Sequence, residues 1–249
     1  MARSTQLADA GYSAPGQRFD PSPPVSSGLS IPGEWTFRDG SIAAHFDQHV
    51  QEQLPWYRLA TGVVAHIARH YLPERGLVYD IGASTGNIGR SLQTTIEARG
   101  ARLVSIEASP DMAARYDGVQ PENLVIEAAE TVEYEPYDVA VMFLTLMFIP
   151  VAERLVFLRK LFAQARPGGV VIVLDKTQSA NGYAATVMWR IALAGKVATG
   201  VDALEIVQKE LSLGGVQRPF DPGLLRAASN LYPVEFFRFG EFAGWLVET

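Results

Sequence analysis

The 249-residue sequence has no cysteine. Disulfides, thiolate zinc sites and a cysteine nucleophile are therefore excluded. It also lacks an apolar run long enough to span a bilayer, which takes roughly 20 consecutive apolar residues. The opening MARSTQLADAGYSAPG has none of the apolar core of a secretory signal, so a cytoplasmic location is the expectation. Basic charge is scarce, with 21 Lys and Arg against 27 Asp and Glu and a net charge of −6. No global positive field invites nucleic acid, which leaves only a local patch as a route to it. Histidine is limited to four residues, His45 with His49 and His66 with His70. Spacing of i,i+4 sets both rings of a pair on one helix face, but there is no H-E-x-x-H motif and no evident third ligand, so no metal is expected.

A composition 48% apolar and 19% charged is that of a globular protein able to bury a sizeable core. Residues 1–30, rich in Ser, Pro, Gly and Ala and including PSPPVSSG from Pro21 to Gly28, read as a disordered tail. Residues 31–75 read as a helical cap. Ile42, Phe46, Val50 and Leu54 recur about one turn apart until Pro55 intervenes, and a second helix runs from about Arg58 to Tyr71. Residues 76–249 hold the main domain.

That domain is organised around VYDIGASTGNIG, Val78 to Gly89. An apolar strand ends in Asp80, three glycines follow (Gly82, Gly86 and Gly89), and a helical pattern begins at Ile88 and Leu92. Strand, glycine turn and helix is how α/β sheets build a nucleotide site, because glycine permits a tight turn and the helix start offers unpaired N–H groups. The spacing D-x-G-x-x-x-G-x-x-G resembles motif I of class I S-adenosylmethionine-dependent methyltransferases more than the G-x-G-x-x-G of NAD enzymes. On that resemblance Asp80, Gly82, Ala83, Ser84 and Gly86 are candidate cofactor-binding residues.

About 20 residues beyond the glycine turn, RLVSIEASPDM ends a second strand at Glu107, where an acid accepts hydrogen bonds from ribose hydroxyls. Ala108 follows, and Met112 after the Ser109-Pro110 helix start fits a place beside the adenine or in the core. NLVIEAAETVE, Asn123 to Glu133, supplies a third strand and its loop. Methyltransferases often place an acid there for the adenine amino group; here Ala128 and Ala129 stand at the strand end, with Glu130 a possible substitute. Tyr137 to Ile149 is continuously apolar, as a central parallel strand should be, and its strand should end near Phe143 to Thr145. No N-P-P-Y or D-P-P-Y follows, which argues against amino-methylation of DNA bases. The missing thiol argues against methylation at pyrimidine C5.

An amphipathic helix is expected from Val151 to Ala165, stopped by Pro167-Gly168-Gly169, with a fifth strand from Val170 to Lys176. Residues 179–215 then interrupt the alternation with two helical patterns, a short helix starts at Asp221-Pro222, and YPVEFFRFG with EFAGWLVET makes a hairpin turning at Gly240. The expected fold is α/β: a Rossmann-like seven-stranded methyltransferase sheet with a C-terminal antiparallel hairpin, a helical N-terminal cap and a helical insertion after the fifth strand. Asp175 and Lys176 are candidates to line an acceptor site, with structural roles equally open.

Further stretches resemble the carboxy-S-adenosylmethionine synthases that serve tRNA wobble-uridine modification. FDQHV (Phe46 to Val50) with Pro55 and Tyr57 resembles that family's N-terminal cap, LTLMF (Leu144 to Phe148) its fourth-strand F-T-L-Q-F, and LEIVQK (Leu204 to Lys209) part of its insertion. The resemblance implies cofactor contacts from Tyr57, Gly82, Glu107 and the Phe143 region, and hints at a homodimer. The departures are substantial. Where the family has an arginine for the extra carboxylate of its product, this chain has Val197, and Val201 replaces a tyrosine. Valine gives a buried carboxylate no partner, and an unpaired buried charge costs several kcal/mol. The first expectation is therefore a methyltransferase that uses S-adenosylmethionine on an unidentified small-molecule, protein or nucleic-acid acceptor. The second is carboxy-S-adenosylmethionine synthesis or use, which requires Lys196 or Arg190 to hold the carboxylate. The third is a non-catalytic protein that binds the cofactor or a partner. No catalytic residue can be named from the sequence.

Overall fold

A computed structural model describes residue 36, residues 40–178 and residues 182–249, with side chains from Phe46 onward in the first helix. The tail expected over residues 1–30, the start of the cap and the side chains of Ile42 and His45 lie outside the described residues.

Two helices, α1 (Gly40–Gln53) and α2 (Tyr57–Tyr71), precede the sheet and meet at Pro55. Strand β1 (Leu77–Ile81) leads through the glycine turn into α3 (Asn87–Arg99). β2 (Arg102–Ile106), the short α4 (Pro110–Ala113) and β3 (Leu124–Val125) carry the chain to one edge of the sheet. It then returns to the middle with β4 (Tyr137–Phe143), α5 (Arg154–Ala163) and β5 (Ala165–Lys176). The insertion is α6 (Tyr183–Ala198) and α7 (Ala203–Ser212); α8 (Gly223–Ser229) and the hairpin β6 (Val234–Phe239) and β7 (Phe242–Glu248) complete the fold.

The seven strands lie in the order β3-β2-β1-β4-β5-β7-β6. β1 pairs in parallel with β2 on one side and β4 on the other, while β5 and β6 each pair antiparallel with β7. This is the expected seven-stranded α/β sheet with its closing hairpin. All seven residues of β4 are buried, which is why its sequence is apolar without alternation. One core lies on each face. Val64, Ile88, Leu92 and Val141 belong to one, under α2 and α3; Tyr79, Met142, Phe157 and Trp245 belong to the other, under α5 and α8. Each such side chain contributes on the order of 1.5–3 kcal/mol by leaving water.

The chain winds outward from β1 to β3 and then jumps back to β4, so the strand order reverses between β1 and β4. In open α/β sheets that reversal opens a crevice at the carboxyl ends of the strands. Gly82 and Thr145 stand there.

Three boundaries differ from the sequence reading. β3 has only two residues because the chain leaves the sheet edge after Val125. α5 begins at Arg154, after a turn over 151–153, rather than at Val151. β5 begins at Ala165 because Gly168 and Gly169 are drawn into the ladder by the chain end: Gly168 N–H donates to the Thr249 carbonyl at 2.5 Å, and Thr249 N–H to that of Gly169 at 3.1 Å. Pro167-Gly168-Gly169 is thus a bulged part of the strand, with Gly168 at φ 82°, rather than a turn ahead of it.

Candidate functional site

The motif turn is held from three sides. Gly82 adopts φ 76°, and a Cβ there would lie 2.3 Å from Thr145 Oγ1, so both the backbone and the neighbour demand glycine. Thr145 Oγ1 in turn donates to the Ile81 carbonyl at 2.8 Å, tying the ends of β1 and β4 together. Ser84 is held at φ 53°, and its N–H donates to Glu107 Oε2 at 2.8 Å, while Glu107 Oε1 accepts from Ser109 N–H at 2.8 Å. Leu144, at φ 59°, is the second non-glycine residue with a left-handed backbone on the cavity wall. Such conformations cost of order 1–3 kcal/mol and cluster where a ligand site fixes the backbone.

A cavity of about 570 Å³ opens at this crevice, within the range of cofactor and substrate sites. Tyr57, Asp80, Gly82, Ala83, Ser84, Glu107, Ala108, Met112, Ala129, Glu130 and Phe143, all predicted from sequence, lie on its wall. Met112 is also almost fully buried, so it serves wall and core together. Gly86 is not on the wall. It starts α3 at φ 91°, where a Cβ would meet Gly118 Cα at 2.6 Å, and so shapes the turn from behind.

Asp80 is fully buried, and its Oδ2 has no hydrogen-bond partner among the described residues. Burial pushes its carboxyl up to about 7, against the N–H of Gly89, which favours the charged form. Glu107 is raised as well, again chiefly by burial. A buried acceptor without a donor calls for one from outside the chain. The Asp80 oxygen, the Ser84 Oγ that also lacks a partner, and Glu107 line one end of the cavity with Glu127 and Glu130. These residues fit S-adenosylmethionine. The ligand carries an ammonium, a sulfonium and two ribose hydroxyls, and this end offers carboxylates that accept hydrogen bonds and balance positive charge.

The cap closes over this end. Tyr57 stands edge-on to Phe143, centroids 5.2 Å apart, and its hydroxyl accepts from Asn87 Nδ2 at 2.6 Å. Asp47 on α1 accepts from Thr85 Oγ1 at 2.6 Å and pairs with Arg90 at 3.3 Å, which latches α1 to the motif turn. Trp56 seats α2 against Phe237 and Phe242 of the hairpin, with centroids 5.4 and 4.9 Å away.

The other end of the cavity belongs to the insertion. Trp189, Leu193, Ile206, Val207, Leu211 and Leu213 supply apolar surface; Lys176, Lys196, Lys209, Glu210 and Glu241 supply charge. Lys176 therefore reaches the cavity as expected, whereas Asp175 does not. Asp175 is fully buried behind the wall, where it accepts from Met147 N–H at 3.2 Å and Lys176 N–H at 2.7 Å. Val197 is exposed and off the wall, and so is Arg190, whose Nη1 donates to the Tyr183 hydroxyl at 3.4 Å. Sequence reasoning passed over His49, Gln53, Thr145, Trp189, Lys209, Glu210 and Glu241. A signal existed for some of them. Gln53 continues the apolar stripe of Phe46 and Val50, and Lys209 that of Ile206 and Leu213. A polar residue on a buried stripe marks a face turned toward a cavity. His66 and His70 meet edge-on at the surface, and no group of side chains able to hold a metal exists among the described residues.

Comparison with known proteins bears on this geometry. A family described as "Methyltransferase domain" matches residues 79–173, from β1 through β5. Over those residues the chain is similar to that domain. Around that domain, the chain is 27% identical over 194 residues to a carboxy-S-adenosyl-L-methionine synthase of Vibrio campbellii, covering 75% of this chain and 79% of the relative. A putative O-methyltransferase from Nostoc punctiforme superposes with a TM-score of 0.56 at 14% identity, covering 84% of this chain and 60% of that one. The DhpI–SAH complex superposes with 0.54 at 14% identity, covering 84% and 92%. These two likenesses show the fold. The methyltransferase domain match ends at Val173, so the insertion and hairpin, with the cavity-lining residues from Lys176 onward, fall outside it.

Proposed function

We propose that the protein is an S-adenosylmethionine-dependent methyltransferase acting on a small molecule. The observation that carries this reading is the continuity of one cavity: the buried Asp80 oxygen and Glu107 stand at one end, the apolar insertion at the other, with the ends of β1 and β4 between. When bound, S-adenosylmethionine supplies an electrophilic methyl group on a sulfonium. This chain's residues do the rest. Asp80 and Glu107 balance and orient the cofactor, Tyr57 and the α1 latch cover it, and the insertion wall positions the acceptor and excludes water. Holding two reactants in register accounts for most of the acceleration such a transfer needs, ~7–11 kcal/mol at best, without a general base.

The activity printed for the Vibrio campbellii relative gives the second reading. Two observations weigh against it here. Val197 is off the cavity wall, and Lys196 is committed to Glu210 at 2.7 Å. The test is mass spectrometry of small molecules released from freshly purified, denatured protein, followed by an acceptor screen that reads S-adenosylhomocysteine. Unmodified cofactor or its demethylated product supports methyl transfer, and a carboxylated cofactor supports the second reading. The exposed Tyr183, Leu204 and Leu211 on the insertion support a homodimer, which light scattering would read as twice the chain mass. Among the described residues no helix is long and apolar enough to cross a membrane.

A further inference from the structure

At the insertion end of the cavity the protein neutralises its own charge. Lys176, Lys196 and Lys209 face the cavity there with Glu210 and Glu241, and Glu205 on α7 acts on Lys209 from off the wall. Glu210 Oε1 accepts from Lys196 Nζ at 2.7 Å, its Oε2 lies 3.5 Å from Lys176 Nζ, and that Nζ lies 3.6 Å from Glu241 Oε2. Glu205 Oε1 accepts from Gln53 Nε2 at 3.0 Å. Even with all three lysines protonated, three carboxylates stand against them. Burial, then Lys196, lowers Lys209 to about 6, which removes positive charge rather than adding it. What this wall leaves for a ligand is apolar surface from Trp189, Leu193, Ile206 and Leu213, together with one amide. Gln53 is only 5% exposed and lines the cavity, and its Oε1 has no hydrogen-bond partner among the described residues. The bond from Nε2 to Glu205 fixes which way this amide faces, because a carboxylate accepts and needs the N–H side. A buried acceptor without a donor is costly, so the Gln53 oxygen calls for a donor on the ligand.

Resting on the methyltransferase reading, we propose that the acceptor is an uncharged, largely apolar small molecule that gives one hydroxyl or N–H donor to Gln53 Oε1 and lays its apolar body against Trp189, Leu193, Ile206 and Leu213. The donor marks the group that is recognised, not the atom that takes the methyl. A carboxylic or phosphoric acid finds no unclaimed cation on this wall, and an amine finds no unclaimed carboxylate. Burying either charge unpaired costs far more than burying a neutral group that makes its hydrogen bond. His49, on the same wall from α1, is lowered to about 3 by burial, then by Lys209 and Lys196, and is neutral at physiological pH.

The test is calorimetric titration of the full chain with indole, 1-methylindole, indole-3-acetate and tryptamine, each with and without saturating S-adenosylhomocysteine. Indole is neutral with one N–H donor; 1-methylindole lacks the donor, indole-3-acetate adds a negative charge and tryptamine a positive one. Indole is expected to bind about five- to tenfold tighter than 1-methylindole, and tighter than either charged probe by about tenfold or more. Gln53→Leu should erase the difference between indole and 1-methylindole. Glu205→Gln keeps an acceptor for Gln53 Nε2 but removes one negative charge, so it should strengthen indole-3-acetate and leave indole unchanged. Equal binding of indole and 1-methylindole, tighter binding of a charged probe, or no binding of any probe overturns the proposal, and each is read on the unsubstituted chain. So does a preference for indole that survives Gln53→Leu, or competition between indole and S-adenosylhomocysteine, which would place the probe at the cofactor end. Failure of S-adenosylhomocysteine to bind while indole keeps its preference removes the methyltransferase reading and leaves the neutral-ligand site standing.

Discussion

At the scale of single residues, Asp80 is the most exposed to test. Its buried oxygen lacks a donor, and charge-assisted hydrogen bonds contribute ~1.5–3 kcal/mol. Asp80→Asn should therefore weaken binding of S-adenosylhomocysteine by about 10–100-fold, measured by calorimetry, without loss of fold. Gly82→Ala acts differently. The added Cβ meets Thr145 and must adopt a left-handed backbone, so it should destabilise by ~1–3 kcal/mol in urea titration and weaken the cofactor as well. Asp80, Gly82 and Glu107 were legible in the sequence because their chemistry needs a residue type at a fixed spacing from a strand. Lys209 and Gln53 carried only a weaker signal, a polar residue on an apolar stripe. They sit on the buried stripes of amphipathic helices, and only the packing of α7 and α1 turns those stripes toward the cavity.

At the scale of elements, the loop after β4 depends on Arg154. This buried side chain donates from Nε to the Ile149 carbonyl at 2.9 Å and from Nη2 to Met147 and Arg218 carbonyls at 3.1 and 2.8 Å. It thereby ties the floor of the cavity to the segment ahead of α8. Arg154→Met would take the donor from the Ile149 carbonyl, while the Met147 carbonyl keeps the Arg218 N–H at 2.9 Å, so a loss of ~1–3 kcal/mol is expected in urea titration. Arg90→Met removes a half-exposed pair with Asp47 together with hydrogen bonds to the Thr85 and Asp117 carbonyls, and should cost ~1–3 kcal/mol in the same assay. The strands and helices were readable from their apolar period, and the hairpin from its turn glycine. β5 was misjudged at its start because its first residues are ordered by pairing with the chain end, a contact of long sequence separation. The two-residue β3 escaped for a related reason, since an edge strand can stop wherever its loop departs.

For the whole molecule, burial of acids shapes stability against pH. Asp80 and Asp175 are both raised to about 7, chiefly by burial. A carboxyl whose folded value lies above its unfolded one contributes stability that is complete below about 4 and lost as pH rises through about 7. Lys209, lowered to about 6, acts in another window: its burial penalty is complete below 6 and fades as pH rises toward the unfolded value of about 10.4. The denaturation midpoint of Asp175→Asn should therefore fall less than that of the parent protein between pH 5 and 7. Equal slopes would show that Asp175 is not held protonated.

The acidic end of the crevice between β1 and β4 is where S-adenosylmethionine is expected to bind. Calorimetric titration of the full chain and of Asp80→Asn with S-adenosylhomocysteine tests it most directly. One-to-one binding that the substitution weakens at least tenfold is the predicted result. No binding by the parent protein, or equal binding by both, would contradict the account.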